Sequence, residues 1–209
     1  MVAPAMRGGL WAIAAAFLAV AAAGCGGQRQ DANEPSGRFK VEVVDASFPA
    51  KQAIAQATVL RIRVRNADTK AIPDVAVTVE TRPRDGSAPI AFGQAVPDPT
   101  LADQSKPVWI LDKGPAGADT AYTNTWALGR LEPGQSRTFE WRLTAVHAGR
   151  YTVGYTVFPG LNGKAKPAGG RTRGTFQVTI SDQPVPAHVD TNGNVVRGEE
   201  AGRGGAVTK

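Results

Sequence analysis

The residues that can act as nucleophiles or soft metal ligands are few. The chain has one cysteine, Cys25, two histidines, His147 and His188, and two methionines that both lie within the first six residues. A blue-copper site needs a cysteine, two histidines and usually a methionine. A single cysteine also excludes an internal disulfide and a cysteine-based zinc cluster. We therefore predict no metal and no cofactor, and we interpret His147 as an exposed turn histidine.

Chemistry based on oxygen groups is no better supported. Asp98, Asp103 and Asp112 share one irregular segment but lack the spacing of an EF-hand loop, so we interpret them as solvated loop acids. No serine stands in a Gly-x-Ser-x-Gly motif, and no glycine-rich loop precedes a helical pattern. A carboxylate pair for glycoside cleavage is a spatial arrangement that the sequence does not nominate. We predict no catalytic residue and expect the chain not to be an enzyme.

The tryptophans give the best indication of a binding surface. Trp141 alternates with Phe139 and Leu143, which is typical of a core residue. Trp109 and Trp126 lie in or beside the irregular segment, where an aromatic ring can stack on a sugar or pack against a protein partner. We predict Trp109 and Trp126 as binding residues, with core packing as the alternative for each.

An apolar segment near the amino terminus predicts export. Leu10 to Ala23 is an uninterrupted apolar stretch of fourteen residues, and Arg7 is the one charged residue before it. A membrane-spanning helix needs about twenty residues, so this length is typical of a signal-peptide core. The stretch leads into Ala22-Ala23-Gly24-Cys25, which resembles the bacterial lipobox, with Ala22 where leucine is usual.

The lipobox resemblance implies that residues 1–24 are a lipoprotein signal peptide and that Cys25 is diacylated. Two acyl chains suffice for stable anchoring. This predicts a protein held on the extracytoplasmic side of the cell membrane through its lipid. Ordinary cleavage after Ala-x-Ala and an uncleaved anchor are the alternatives.

Composition divides the remaining chain into three parts. Residues 25–37 are polar and contain Gly and Pro, as in a flexible linker. Residues 38–181 carry the strand pattern, and residues 182–209 are polar and glycine-rich, which predicts a disordered tail.

Without Arg7 the chain has 23 basic and 18 acidic residues, a net charge of +5 that is spread along the sequence. A nucleic-acid binder concentrates its charge on one face, so we expect no nucleic-acid partner.

Apolar and polar residues alternate with period two over most of 38–181, which predicts half-buried antiparallel strands. The segments 39–43 and 122–128 are further candidate strands, and no segment after Cys25 has a sustained helical period. The pattern predicts an all-β sandwich of about seven strands. The clearest inward-facing sets are Leu60, Ile62 and Val64; Val75, Val77 and Val79; Phe139, Trp141 and Leu143; Tyr151, Val153, Tyr155 and Val157; and Phe176, Val178 and Ile180.

The segment Leu131 to Val157 resembles strands E and F of bacterial immunoglobulin-like surface and adhesion domains. In that family a Pro-Gly turn introduces strand E and a tyrosine begins strand F. The resemblance implies an antiparallel Ig-like sandwich, with Tyr151 as a tyrosine corner whose hydroxyl bonds to nearby backbone. Independently, Glu132-Pro133-Gly134-Gln135 has the sequence of a type II turn. The antibody-type pair of cysteines is absent.

The alternation stops between Arg82 and Ala121. About forty residues is a long connection for a sandwich, and it is either an elaborated edge with short strands or a functional loop. The function we predict is a membrane-tethered, non-catalytic Ig-like module for binding an envelope protein or organising the envelope. A carbohydrate- or cell-wall-binding module that uses Trp109, and an enzyme accessory subunit, are the alternatives.

Overall fold

The computed structural model describes residues 34–82, 92–94, 107–184 and 186–197. The predicted signal peptide, Cys25, Asp98, Asp103 and residues 198–209 lie outside the described residues. The regular structure of the described part is β-strand. None of its residues form a helix long and apolar enough to cross a membrane.

The strands are short at the edges and reach ten residues in the centre of the sheets. In chain order they are β1 (Gly37–Phe39), β2 (Val41–Ser47), β3 (Lys51–Ala53), β4 (Ala57–Asn66), β5 (Ala76–Arg82), β6 (Gly93–Gln94), β7 (Trp109–Lys113), β8 (Asp119–Tyr122), β9 (Thr125–Ala127), β10 (Ser136–Ala145), β11 (Gly149–Phe158), β12 (Ala165–Pro167), β13 (Arg173–Ser181), β14 (Ala187–Val189) and β15 (Val195–Arg197).

Two sheets make up the sandwich. The first has the order β2-β4-β10-β7-β6 and the second the order β3-β13-β11-β5-β9-β8. Strands β2, β4, β10 and β7 take the places of A, B, E and D in a constant-type Ig domain, and β5, β11 and β13 those of C, F and G. The predicted Ig-like β-sandwich is therefore confirmed by the strand topology.

The core follows from the alternation in the sequence. Leu60, Ile62 and Val64 of β4 are fully buried, and the arginines between them are exposed. Trp141 of β10, which pairs with Leu60, is also fully buried, as predicted. Removing each such side chain from water contributes roughly 1.5–3 kcal/mol. The second sheet closes the core with Val77, Val79, Val153, Val157, Val178 and Ile180.

Two local predictions around strand β10 are confirmed. In the type II turn, the N–H of Gln135 donates to the carbonyl of Glu132 at 3.0 Å, and Gly134 has φ +73°, which the turn requires at this position. The hydroxyl of Tyr151 donates to the carbonyl of Ala148 at 2.9 Å, as expected of a tyrosine corner. A Cβ on Gly149 would lie 2.9 Å from that hydroxyl oxygen, so the corner depends on the glycine.

The described part of the insertion after β5 contains short strands and is not a single loop. Its described residues supply β7, which pairs with β10 in the first sheet, and part of a hairpin, β8–β9, which pairs with β5 in the second. The candidate strand at 122–128 is this hairpin's turn and second strand. The described part is therefore an elaborated edge with short strands.

The predicted flexible segments are more ordered than their composition indicated. Within the predicted linker, Glu34 is held by backbone N–H groups, and β1 begins at Gly37 and pairs in parallel with β12. Within the predicted disordered tail, β14 and β15 form an antiparallel hairpin. Long-range hydrogen bonds hold Glu34 and β1, and local ones hold the β14–β15 hairpin, although no hydrophobic period marks either place.

Candidate functional site

Trp109 and Trp126, the predicted binding residues, belong to the core. Trp109 is fully buried, and its indole Nε1 donates a hydrogen bond to Oε1 of Gln52 at 2.8 Å. Trp126 is 6% exposed, and its ring lies edge-on to Trp141 with centroids 5.4 Å apart. Neither ring is accessible to a ligand, so the prediction of a tryptophan binding surface is corrected. Both rings are buried because they fill the space between the two sheets.

The other candidate polar residues do not converge. Asp112 accepts a hydrogen bond from the hydroxyl of Thr144 at 2.7 Å on the surface of the first sheet. His147 and His188 are exposed, the first in the turn before β11 and the second in β14. Among the described residues, no three His, Cys, Asp or Glu side chains lie close enough together to hold a metal ion.

The outer face of the second sheet has a different character. Threonines recur among the residues that point away from the core on β5, β11 and β13, and the strand register arranges these outward residues in rows. One row runs Thr78–Thr156–Arg173, and the next runs Glu80–Gly154–Thr175. We call these six residues and Thr152 the threonine face. Successive side chains of a strand point to opposite faces, so the alternation that places apolar residues in the core places these residues on the outer face.

A depression of about 280 Å³ lies in the centre of the threonine face. It forms at Gly154, which lacks the side chain that the neighbouring positions carry. A Cβ added there would meet its nearest heavy atom, the carbonyl oxygen of Glu80, at 3.9 Å, an ordinary contact distance. Gly154 also has no positive φ. The fold therefore tolerates a side chain at this position, and the glycine leaves an opening that packing does not require.

Gly174, on the neighbouring strand, provides the contrast. A Cβ there would lie 2.5 Å from the hydroxyl oxygen of Tyr155, so the fold needs this glycine. Tyr155 is 6% exposed and lines the depression from the core side. Burial raises the pKa of the Tyr155 hydroxyl, with the charges of Arg171 and Asp45 acting in opposite directions. The phenol is therefore neutral at physiological pH and acts as a packing group.

The chemistry of the threonine face is that of a hydroxyl array with one charge of each sign. The hydroxyls of Thr78 and Thr125 are 2.7 Å apart and hydrogen-bonded. The Thr152 hydroxyl donates to Oε1 of Gln177 at 3.0 Å. These bonds orient side chains that can both donate and accept. The volume is near the lower end of the range of roughly 300–1,000 Å³ for ligand pockets, which suits one side chain or one small polar group.

Among the described carboxyl groups, the one with the most strongly shifted pKa is Asp74, which lies outside the threonine face. Burial raises the pKa of Asp74 to about 6, and repulsion from Glu34 and Asp119 adds to this, whereas a hydrogen bond from the backbone N–H of Gly129 opposes it. That bond is 2.9 Å long and ties the connection before β5 to the one before β10. A perturbed carboxyl can mark a functional site, but this one has a structural partner, and among the described residues it belongs to no group of three His, Cys, Asp or Glu side chains that could hold a metal ion.

The threonine face was missed by sequence reasoning, although its signal was present. Gly154 interrupts the polar half of the alternation Thr152–Gly154–Thr156, and a glycine inside a strand often marks a close approach by a ligand or another chain. The rows across three strands depend on pairings between residues far apart in sequence, which alternation alone does not give.

Fold and face together define an Ig-like β-sandwich with a polar, indented sheet surface. No family model matches the chain, and no curated protein matches it. Among solved structures, the chain is similar to the CARDB domain of the PF1109 protein from Pyrococcus furiosus, with 14% identity over 71% of this chain and 99% of that chain, at a TM-score of 0.42. A cohesin module of a family 33 glycoside hydrolase from Clostridium perfringens gives 10% identity, 71% and 100% coverage and a TM-score of 0.42. The C-terminal domain of Wzt gives 13% identity, 70% and 77% coverage and a TM-score of 0.42.

Proposed function

We propose that this chain is a lipid-anchored, non-catalytic Ig-like binding module of the bacterial envelope, and that the threonine face receives its partner. The observation that carries the proposal is Gly154, a glycine in the middle of a ten-residue strand that neither φ nor packing requires. Such a glycine costs roughly 0.5–1 kcal/mol relative to alanine. Close approach of a partner gives a reason for that cost.

A protein partner fits the face best. The depression accommodates one inserted side chain, and the surrounding hydroxyls can hydrogen-bond to the polar atoms beside it. Glu80 and Arg173 stand on opposite sides of Gly154, so they can set the orientation of a partner that carries both charges. The lipid at Cys25, implied by the lipobox resemblance, would keep the module at the membrane.

A carbohydrate partner is the second candidate, favoured by the hydroxyl array. Sugars are recognised through hydrogen bonds together with stacking on aromatic faces. Of the described residues that line the depression, Tyr155 is the aromatic one, and its ring is turned into the core. This candidate therefore depends on the threonine hydroxyls alone, and it no longer involves Trp109.

Site-specific photo-cross-linking in intact cells tests the proposal. A photoreactive residue replaces Thr156 beside the depression, or Thr138 on the outer face of the first sheet as the control. We expect one reproducible adduct from position 156, none at the same mass from position 138, and loss of the adduct when Gly154→Val fills the depression. A glycan adduct with the same dependence supports the second candidate. Equal adducts from both positions, or an adduct that survives Gly154→Val, contradict the proposed face.

A further inference from the structure

The amino-terminal segment is fastened to one end of the sandwich. The carboxylate of Glu34 accepts hydrogen bonds from the backbone N–H groups of Leu161 at 2.6 Å, Asn162 at 2.7 Å and Ala165 at 2.7 Å. Immediately afterwards, β1 pairs with β12, and the N–H of Ala168 donates to the carbonyl of Phe39 at 2.8 Å. Hydrogen bonds to an ionised acceptor are stronger than neutral ones. Glu34, where the described chain begins, is thus held at this end of the sandwich.

Several connections between strands meet at this end. Asn66, at the end of β4, donates through Nδ2 to the carbonyls of Lys70 and Leu131, and Ile72 forms an isolated bridge with Leu131. We call the segments 34–40, 66–75, 128–135 and 159–172 the tethered end. Eight residues, 26–33, separate Glu34 from Cys25. A stretch of eight residues reaches at most about 30 Å.

Among the described connections, charge is distributed unequally between the two ends. The tethered end has seven basic and four acidic residues, a formal net charge of +3. The described connections at the opposite end, 48–56, 145–149 and 181–184, contain one lysine and one aspartate and are neutral. Within the tethered end Arg130 pairs with Glu132, and the Glu34 carboxylate is covered by backbone N–H groups. Six exposed cations form no ion pair with a described residue: Arg38, Lys40, Lys70, Lys164, Lys166 and Arg171.

We infer that the tethered end is a docking surface for anionic phospholipid headgroups. The inference rests on the lipid anchor proposed above, because the anchor brings this end within reach of the bilayer. Attraction between lysine or arginine and an anionic leaflet decays within a Debye length, about 8–10 Å at physiological salt. A tether of eight residues reaches at most about 30 Å, so it keeps the cations near enough to the leaflet to approach within the Debye length. Docking there turns the opposite end of the sandwich away from the membrane.

Resonance energy transfer in reconstituted vesicles measures this orientation. The only cysteine of the chain is Cys25, so acylation leaves a single introduced cysteine for the donor dye. Thr69→Cys places the dye at the tethered end, and Gln183→Cys places it at the other. The full-length acylated chain is compared in phosphatidylglycerol and phosphatidylcholine vesicles that carry a headgroup-labelled acceptor lipid. A matched pair of double variants tests the charges: Lys164→Glu with Lys166→Glu at the tethered end, and, as the control, Lys51→Glu at the opposite end with Arg150→Glu in β11, directly after the connection 145–149.

We expect at least twofold higher transfer from position 69 in phosphatidylglycerol than in phosphatidylcholine, with no such gain from position 183. The gain should be lost in Lys164→Glu/Lys166→Glu and in high salt, and kept in the control pair. Equal transfer in both lipids overturns the inference, as does equal loss in the two double variants. Binding of an added anionic wall polymer without any lipid dependence overturns it too. A failed anchor is recognised separately, since Cys25 then takes up dye and the chain lacks the mass of two acyl groups.

Discussion

The indole Nε1 of Trp109 donates a hydrogen bond to Oε1 of Gln52 at 2.8 Å, and the bond connects β7 of the first sheet to β3 of the second. Both residues are buried, and Nε2 of Gln52 donates in turn to the carbonyl of Pro49 at 2.9 Å. A buried polar link between the sheets fixes their relative position at one edge, because moving either strand leaves polar groups without partners.

Replacement of Gln52 should therefore be costly. We expect Gln52→Leu to lower the free energy of unfolding by about 1–3 kcal/mol, since the indole N–H of Trp109 is left buried and unpaired. Trp141 is the reference for this state, because its Nε1 is already buried without a hydrogen-bond partner among the described residues. Gln52→Leu would leave the Nε1 of Trp109 in the same state. Gln52→Leu in a Trp109→Phe background should cost much less than in the native chain. Equal costs in the two backgrounds, measured by urea unfolding, would show that the hydrogen bond contributes nothing.

The two neighbouring glycines of the second sheet should respond in opposite ways. Gly154→Ala is expected to raise the free energy of unfolding by roughly 0.5–1 kcal/mol, because strand glycine is unfavourable and the new Cβ has room. Gly174→Ala should lower it, since the Cβ would displace Tyr155. Thermal unfolding of both variants measures this. A destabilising Gly154→Ala would remove the argument that binding, and not packing, explains the glycine.

Asp74 should make stability depend on pH in a defined window. Its pKa is raised from 3.8 to about 6 in the folded chain, so the folded state binds the proton more tightly than the unfolded state. The stabilising contribution of the protonated group is complete below pH 4 and is lost as the pH rises towards 6. Because the Asp74 carboxyl is only half-buried and solvent screens its charge, we expect the free energy of unfolding to fall by roughly 1 kcal/mol over this pH range.

Asp74→Asn tests this window, since asparagine keeps an oxygen that can accept the Gly129 N–H and carries no charge. The variant should be more stable than the native chain at pH 7, and the difference should shrink between pH 6 and pH 4. Urea unfolding at several pH values gives the difference directly, which cancels the titration of other carboxyl groups. A difference that is constant across this range would mean that the Asp74 pKa is not raised.

Cys25→Ala tests the proposed anchor. Loss of two acyl chains should move the protein from the membrane fraction to the soluble fraction, because a single remaining attraction through surface charge is weak and salt-dependent. Cys25→Ser gives a second variant with a polar side chain of similar size. Fractionation and mass spectrometry provide the measurement. Full retention of both variants in salt-washed membranes would show that lipid at this residue is not the tether.

Alternation with period two predicted the central strands because alternate residues of a half-buried strand face the core and the solvent. Leu60, Ile62 and Val64 can be assigned to the core from sequence, since each is flanked by exposed arginines. Trp109 carries no such signal, because Val108 and Ile110 on either side are also apolar. Its partner Gln52 lies 57 residues away. Whether the indole faces solvent or the core is decided by that pairing, which the sequence does not display.

Glu34 shows the same limit for polar residues. In the sequence it is one acid in a segment whose composition is that of a linker, and its three hydrogen-bond donors lie more than 125 residues further on. Thr78, Thr156 and Arg173 likewise form a row through pairings between three separate strands. Local pattern predicts which side of a strand a residue occupies, and long-range register decides its neighbours.

The parallel pairing of β3 with β13 has a consequence for how the chain matures. Lys51–Ala53, early in the domain, find their partners in Thr179–Ser181 at its end. The second sheet therefore cannot be completed until nearly all of the domain has been synthesised. Long-range pairing of this kind also slows folding, to milliseconds or seconds in comparable all-β domains. If the chain is exported as proposed, the second sheet closes only after its last strand has crossed, so the sandwich is completed on the far side of the membrane.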